Sequence, residues 1–246
     1  MTVHLVGAGP GDPGLLTLRA AELLSQCDVV VYDRLVDDAI LARVPPWAEQ
    51  IDVGKVPGRR GPTQDDINEI LVDRGARFDC VVRLKGGDPH VFGRGAEELA
   101  ALHAAGIATE VVPGVSAAIA APAAAGIPVT ARFASSGFTV ITAHQDPATD
   151  RALDWDALAR LGTTLVILMG AARARSIAER LIAGGMAPDT PVAVITDATR
   201  AHQSITRTVL ARLGDEQIRN PSTIVVGAVA ALDLRSLVLA VEGSAR

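Results

Sequence analysis

The sequence is poor in lysine, aromatic residues and cysteine. Aromatic side chains make up 3% of the 246 residues, so the core must be built from Val, Leu, Ile and Ala. Only Lys55 and Lys85 among the 23 basic residues are lysines, and such an Arg-rich composition more often reflects the base composition of a genome than a function. Cys27 and Cys80 stand far apart, so we expect free thiols in a reducing cytoplasm. The five histidines form no cluster of ligands, and we expect no metal site.

The sequence also lacks the features of nucleic-acid-binding and membrane proteins. A formal net charge of −5 argues against a nucleic-acid binder, which needs a basic face. The longest weakly polar stretch, residues 117–129, contains Pro122, Gly126 and Pro128 and is shorter than the roughly 20 residues that a membrane helix needs. The N-terminus begins with a predicted strand and a glycine turn, so we expect no signal peptide. These absences predict a soluble, cytoplasmic protein.

Strands and helices alternate in the first half of the chain, which predicts a mostly parallel sheet with helical crossovers. Short apolar runs predict strands over Val3–Gly7, Asp28–Tyr32, Asp79–Leu84 and Thr109–Val112. Apolar residues at helical spacing predict helices over Leu15–Gln26 and Gly93–Ala105, and a further helix capped by Thr63.

A pair of chain breakers predicts a domain boundary near the middle of the chain. Val112-Pro113-Gly114 interrupts the alternation, and the Ala-rich segment after it ends in Gly126-Ile127-Pro128. We therefore expect an N-terminal α/β domain over residues 1–112 and a mixed α/β domain over residues 113–246. The second domain has predicted strands at Phe138–Ala143, Thr164–Met169, Pro191–Thr196, Ser204–Leu210 and Thr223–Val229, and predicted helices at Asp154–Leu161 and Ala172–Ala183. The short link before Ser204 predicts an antiparallel pair.

The first glycine turn, Gly7 to Gly14, formally contains a dinucleotide fingerprint. Gly9 to Gly14 satisfies G-x-G-x-x-G, and Asp33 follows about 20 residues later. However, Pro10 and Pro13 each remove a backbone N–H that a pyrophosphate needs, and Asp12 adds a negative charge. Asp12 as a helix cap explains these residues better, with a ligand free of phosphate, or no ligand at all, at the turn.

A second glycine turn, Lys85-Gly86-Gly87-Asp88-Pro89, follows a buried strand. Ligands of open α/β sheets bind at the carboxyl ends of the strands, where Gly86 and Gly87 bring bare backbone to the surface. Asp88 is able to accept hydrogen bonds from an amine or a hydroxyl, or alternatively to cap the next helix. Two glycine turns after strands of one sheet favour a cofactor crevice.

Several segments, taken together, resemble the uroporphyrinogen-III C-methyltransferases of the tetrapyrrole methylase family. The segments begin at Gly7, Tyr32, Val53, Arg83, Val112, Ala125, Met169 and Val225, and they extend the likeness over residues 3 to about 230. The glycine turn at Gly7 is common to tetrapyrrole methylases, whereas the run from Arg83 to Glu98 is more specific to the uroporphyrinogen branch.

The resemblance implies two α/β domains of the tetrapyrrole methylase type, with S-adenosylmethionine (SAM) in the cleft between them and S-adenosylhomocysteine as product. By analogy, the cofactor contacts are Pro10, Gly86, Gly87, Asp88, Val91, Ser116, Ala117, Met169, Ala198 and Gly227. It also implies a homodimer, with Asp33 as the proton acceptor and Lys55 as the proton donor.

These roles are chemically reasonable for methylation of a pyrrole carbon. As the carbon attacks the sulfonium methyl group, positive charge develops on the ring nitrogen, and the Asp33 carboxylate is able to stabilise it and remove a proton. Lys55 is able to bind an acidic side chain or return a proton. Without the resemblance, both residues would be read as surface ion pairs or caps. Candidate partners for substrate carboxylates are Arg34, Arg59, Arg60, Arg94 and Arg132.

Substrate-side positions depart from the family pattern and leave two substrates open. Arg60 and Ala131 stand where the family usually has histidine, and Ala124 stands where it usually has tyrosine. One hypothesis is methylation of uroporphyrinogen III at two pyrrole carbons to give precorrin-2, for sirohaem or cobalamin. The other is methylation of a different electron-rich ring, such as C3 of an indole. An NAD-dependent oxidoreductase and a non-catalytic SAM or tetrapyrrole sensor are alternatives from other classes.

Overall fold

The computed structural model describes residues 1–54 and 61–234 of the chain. The chain divides into two compact units, Met1–Ser116 and Ala117–Arg246. The boundary predicted from the sequence, between residues 112 and 113, lies at the end of the last strand of the first unit. Among the described residues, no helix combines the length and the apolarity that crossing a bilayer requires.

The first unit is built on a five-stranded sheet in which all pairs are parallel. The spatial order is β3-β2-β4-β1-β5. The strands are β1 (Thr2–Gly7), β2 (Val29–Tyr32), β3 (Glu49–Asp52), β4 (Cys80–Lys85) and β5 (Ala108–Val112). Because every strand runs in the same direction, the turns that follow the five strands all lie at one edge of the sheet. The predicted parallel sheet is confirmed, and the sequence did not predict β3.

In the described residues of the first unit, four α-helices cover the two faces of this sheet. They are α1 (Leu18–Gln26), α2 (Asp38–Leu41), α3 (Gln64–Gly75) and α4 (Gly95–Ala104). The alternation of side chains along β4 sorts its residues between the two cores. Val82 and Leu84 pack in the cluster that contains the α1 residues Leu23 and Leu24. Val81 packs on the other face, in the cluster formed by α3 and α4.

The helix ends show how far the local sequence determines these elements. The Thr63 side chain accepts a hydrogen bond from the Asp66 N–H, and the Asp66 carboxylate accepts one from the Thr63 N–H, so the predicted cap is confirmed as a capping box. The helix predicted from Leu15 begins instead at Leu18, where Thr17 provides the cap. Asp12 caps only a single 3-10 turn, because Leu16 returns to an extended backbone after Pro13–Leu15.

The second unit is built on a mixed five-stranded sheet. Its order is β6-β7-β10-β8-β9, with β6 parallel to β7 and all other pairs antiparallel. The strands are β6 (Phe138–Thr142), β7 (Thr164–Leu168), β8 (Pro191–Thr196), β9 (Ser204–Val209) and β10 (Ser222–Val226). The predicted antiparallel pairing of β8 with β9 is confirmed.

The described part of the second unit, residues 117–234, also contains three α-helices. They are α5 (Ala117–Ala124), α6 (Trp155–Arg160) and α7 (Ala174–Ala183). The amphipathic α7 buries Ile177 and Leu181 against one face of the sheet. On the other face, Ala121 of α5 packs with Ala193, Ile195 and Val225. This part of the core is therefore built from alanine and branched aliphatic side chains, without an aromatic residue.

Candidate functional site

The two glycine turns of the first unit are paired with each other. Gly9 follows β1 and Gly87 follows the neighbouring β4, and they form an isolated antiparallel bridge. The Gly9 N–H donates to the Gly87 carbonyl at 3.1 Å, and the Gly87 N–H donates to the Gly9 carbonyl at 2.7 Å. Both residues have positive φ angles, 73° and 67°, which glycine adopts without a steric penalty. The two turns that the sequence singles out therefore form one structural feature.

A third turn, at Gly114 after β5, packs against the same pair. A Cβ atom on Gly114 would lie 2.2 Å from the Gly87 carbonyl oxygen, and one on Gly7 would lie 2.5 Å from the Gly114 Cα. Only residues without a side chain fit at such distances. The backbones of three adjacent strands, β4, β1 and β5, thus come together at the carboxyl edge of the sheet.

Asp88 ties the second turn to the third. Its Oδ1 accepts a hydrogen bond from the His90 N–H at 2.8 Å, and its Oδ2 accepts one from the Gly114 N–H at 3.1 Å. The carboxylate therefore braces the loops, and any contact with a ligand would be additional to these bonds. Val91 is exposed in the loop that leads from Asp88 to α4.

The first turn has few backbone donors left for a phosphate. The Ala8 N–H is used by the Lys85 carbonyl, the Gly9 N–H by Gly87, and the Gly14 N–H by the Asp12 side chain. Pro10 and Pro13 have no N–H at all. The nearest α-helix begins at Leu18, beyond the turn, so no α-helix N-terminus opens at the fingerprint. The geometry does not favour a pyrophosphate site there.

Asp33 follows β2 immediately, beside the paired turns. Its Oδ1 accepts a hydrogen bond from Nη2 of Arg83 at 2.7 Å, and its side chain is 31% exposed. Gly86 packs against the turn after Asp33, since a Cβ on Gly86 would lie 3.2 Å from the Leu35 Cβ. The structure therefore brings the predicted base next to the second glycine turn, within one unit.

Arg83 belongs to a cluster of buried charges. Its Nε donates to Glu98 Oε1 at 3.1 Å, and Lys85 Nζ donates to the same oxygen at 2.7 Å. The Arg83, Lys85 and Glu98 side chains are 2%, 4% and 0% exposed. Burial away from water, followed by the neighbouring Arg83 charge, lowers the pKa of the Lys85 ammonium group.

The candidate arginines are spread over both units. Arg34 lies directly after Asp33, and a Cβ on Gly54 would lie 2.5 Å from the Arg34 Cβ. Arg94 pairs with Glu97 on the surface at 2.6 Å. Arg132 is exposed in a loop of the second unit. Lys55, Arg59 and Arg60 lie outside the described residues.

The remaining predicted cofactor contacts fall into three places. Pro10 is half-buried in the first turn, Ser116 ends the first unit, and Ala117 begins α5. In the second unit, Met169 follows β7 with a φ of 57°, and Ala198 lies between Asp197 and Thr199, whose φ angles are 51° and 66°. Left-handed backbone at three non-glycine residues costs free energy and often marks functional sites.

Gly227 is not brought together with Met169 and Ala198. β10 is antiparallel to β7 and β8, so its last residue pairs with the beginning of each neighbour. The Gly227 N–H donates to the Pro191 carbonyl, at the first residue of β8. Met169 follows the far end of β7, roughly 16 Å away along a strand. Gly227 therefore lies at the opposite edge of this sheet, and we omit it from the proposed cofactor site.

The roles of Arg83, Lys85 and Glu98 were not predicted from the sequence. A signal was present, because two cations at alternate positions of an apolar strand must share one buried face. Glu98 lies in the first turn of α4, where its distance from β4 depends on the crossover between them. Only the fold shows that this carboxylate pairs with both cations.

Comparisons with known proteins agree with this architecture. A model of the family described as Tetrapyrrole (Corrin/Porphyrin) Methylases matches residues 2–214. An S-adenosyl-L-methionine-dependent uroporphyrinogen III methyltransferase of Methanosarcina barkeri is 51% identical over 232 residues, covering 92% of this chain and 91% of the relative. A siroheme synthase of Edwardsiella ictaluri is 46% identical over 94% of this chain, and the chain matches 50% of its length.

A solved structure extends the likeness to three dimensions. The uroporphyrin-III C-methyl transferase from Thermus thermophilus, in a crystal structure complexed with S-adenyl homocysteine, matches with a TM-score of 0.82 and 37% identity over 94% of both chains. The present chain is an α/β protein of two units, each built on one sheet, with a glycine-lined candidate site in the first. It belongs to the tetrapyrrole methylase family.

Proposed function

We propose that the chain is a SAM-dependent C-methyltransferase that methylates uroporphyrinogen III at two pyrrole carbons to give precorrin-2. The observation that carries this proposal is the paired turn at Gly9 and Gly87, with Asp33 alongside it at the same edge of the sheet. The relatives named above, which act on uroporphyrinogen III or make sirohaem, support the choice of substrate.

The proposed cofactor site uses the glycine turns as a flat backbone surface. In the first unit it comprises Pro10, Gly86, Gly87, Asp88, Val91 and Ser116. The missing side chains at residues 86 and 87 would let SAM approach the backbone closely. In the second unit we propose Ala117, Met169 and Ala198. Met169 follows a strand and has a positive φ angle, and Ala198 follows another strand and has a neighbour with a positive φ angle on each side.

Asp33 is the proposed base of the reaction. Methyl transfer to carbon leaves a positive charge on the pyrrole nitrogen and a proton to be removed, and a carboxylate serves both needs. Its partial exposure makes it accessible to a ligand. Lys55 is the proposed proton donor, and Arg34, Arg59, Arg60, Arg94 and Arg132 are proposed partners of the substrate's carboxylates.

We also propose that the chain works as a homodimer, which the family resemblance implies. Light scattering of the purified protein measures the mass directly, and a monomer at assay concentration would contradict this part of the proposal.

The alternatives receive less support. The Ala124 and Ala131 substitutions remain the argument for another heterocycle such as an indole, but the relatives named above include no indole methyltransferase. An NAD-dependent oxidoreductase would need the pyrophosphate donors that the first turn has already used.

The decisive experiment offers uroporphyrinogen III and simple indoles side by side, each with SAM, under anaerobic conditions. We expect S-adenosylhomocysteine to form with uroporphyrinogen III only, and mass spectrometry to show a tetrapyrrole carrying two added methyl groups. Methyl transfer to an indole alone would overturn the proposed substrate. A melting temperature raised by NAD but not by S-adenosylhomocysteine would overturn the proposed class, since only a ligand that binds the folded state stabilises it.

A further inference from the structure

The buried charge cluster of Arg83, Lys85 and Glu98 is costly for the fold. Removing charged groups from water costs several kcal/mol per ion, and apolar replacements of buried ion pairs are often neutral or stabilising. The three side chains are almost completely buried. Among the described residues, the cluster has side-chain contacts with the half-buried Gln64, which donates to Glu98 Oε1 at 3.4 Å, and with the partly exposed Asp33. Because stability alone does not explain such a cluster, its contact with Asp33 points to a role at the site.

The contacts of Arg83 fix its guanidinium group on all sides. Nε donates to Glu98, and Nη1 faces the Val31 and Leu84 carbonyls at 3.4 Å each. These bonds leave Nη2 pointing at Asp33 Oδ1, 2.7 Å away. A planar group held at three nitrogens has almost no freedom to move.

Backbone contacts hold the main chain of Asp33 in place, but they do not restrain its side chain. The Asp33 N–H faces the Leu84 carbonyl at 3.4 Å, and the Asp33 carbonyl accepts from the Val36 N–H at 3.0 Å. Since the side chain is 31% exposed, packing alone does not select its rotamer. The hydrogen bond from Arg83 Nη2 is a contact that restrains the carboxylate.

We infer that Arg83 is a positioning residue for Asp33: it holds one carboxylate oxygen from inside the sheet and so orients the carboxylate toward the substrate. Glu98 and Lys85 balance the charge, because the four groups together carry two positive and two negative charges. This inference rests on the proposed role of Asp33 as the base. A misplaced catalytic group reduces the rate of the chemical step much more than it reduces binding of the cofactor.

Two double variants test the inference, and each removes one positive and one negative charge from the buried cluster. The second variant, which keeps Arg83, is the control. Arg83→Gln/Glu98→Gln leaves Lys85 and Asp33, and Lys85→Met/Glu98→Gln leaves Arg83 and Asp33, so both clusters stay neutral. We expect the first to lower kcat about 100-fold and the second less than about tenfold, with S-adenosylhomocysteine affinity within about threefold for both. Equal losses of kcat in the two variants would overturn the inference.

A second measurement separates positioning from a structural role. If Arg83 acts through Asp33, the Arg83→Gln/Glu98→Gln change should lower the single-turnover rate by no more than about twofold in an Asp33→Asn background. A full 100-fold further loss there would show that Arg83 acts independently of Asp33. If Asp33 is not the base, Asp33→Asn alone keeps the activity. If the proposed function is wrong, the wild-type chain itself does not methylate uroporphyrinogen III.

If a double variant does not fold, the single variant Arg83→Lys replaces it, and its kcat is compared with that of the wild type. Lysine keeps the charge but cannot bridge Glu98, two carbonyls and Asp33 at once. We expect a folded protein, judged by circular dichroism, with kcat lowered about tenfold or more and unchanged S-adenosylhomocysteine affinity. Wild-type kcat in this variant would overturn the inference.

Discussion

Replacing Asp33 with asparagine should lower the turnover of uroporphyrinogen III by roughly two to four orders of magnitude, the range that general acid–base catalysis supplies. The amide keeps the shape of the carboxylate but neither holds the negative charge nor accepts a proton at neutral pH. Affinity for S-adenosylhomocysteine should stay within about threefold, because the paired turns at Gly9 and Gly87 do not depend on the Asp33 side chain. Steady-state kinetics and calorimetric titration measure the two quantities.

Asp37→Asn is the matched control for this prediction. Asp37 lies four residues later and accepts a hydrogen bond from the Ala39 N–H as the cap of α2. Asparagine caps a helix about as well as aspartate, so the substitution removes one negative charge nearby and keeps the helix cap. We expect its turnover to remain within about twofold of wild type. An Asp33→Asn enzyme within about threefold of wild type would remove Asp33 from the role of base.

The elements that the sequence predicted well are those with a strong local pattern. Apolar runs determine β1, β2 and β4, because buried parallel strands need such side chains on both faces. The polar run Glu-Gln-Ile-Asp of β3 carries no such pattern, since this edge strand is mostly exposed and is selected by pairing with β2. Similarly, α5 contains Pro122 and has no polar face, so its burial against the second sheet is what makes it a helix.

The sequence predicts those residues of the candidate site that directly follow a strand. Asp33, Gly9 and Gly87 each follow a predicted strand, and parallel strands place such residues at one edge. The hydrogen bonds between Gly9 and Gly87, and the contact of Gly114 with both turns, depend on the strand order, which the local sequence does not encode. The opposite placement of Gly227 has the same origin, because the direction of β10 was not predicted.

Replacing Gly87 with alanine should weaken binding of SAM and S-adenosylhomocysteine by at least about tenfold. The substitution acts in two ways that need to be separated. A positive φ of 67° costs an alanine about 1–2 kcal/mol. In addition, the new methyl group would stand on the backbone surface that SAM is proposed to approach. Calorimetric titration with S-adenosylhomocysteine measures the affinity, and thermal unfolding measures the stability.

Gly106→Ala separates the two effects. Gly106 has nearly the same backbone angle, a φ of 72°, and a Cβ there would meet no heavy atom within 4 Å. It lies after α4, at the opposite end of the first sheet from the paired turns, because β5 begins two residues later. Gly106→Ala therefore carries the cost of the backbone conformation without a new contact, and only Gly87→Ala should lose affinity. Equal affinity in the two variants would mean that SAM does not contact the backbone at Gly87, and the proposed cofactor site would have to be placed elsewhere.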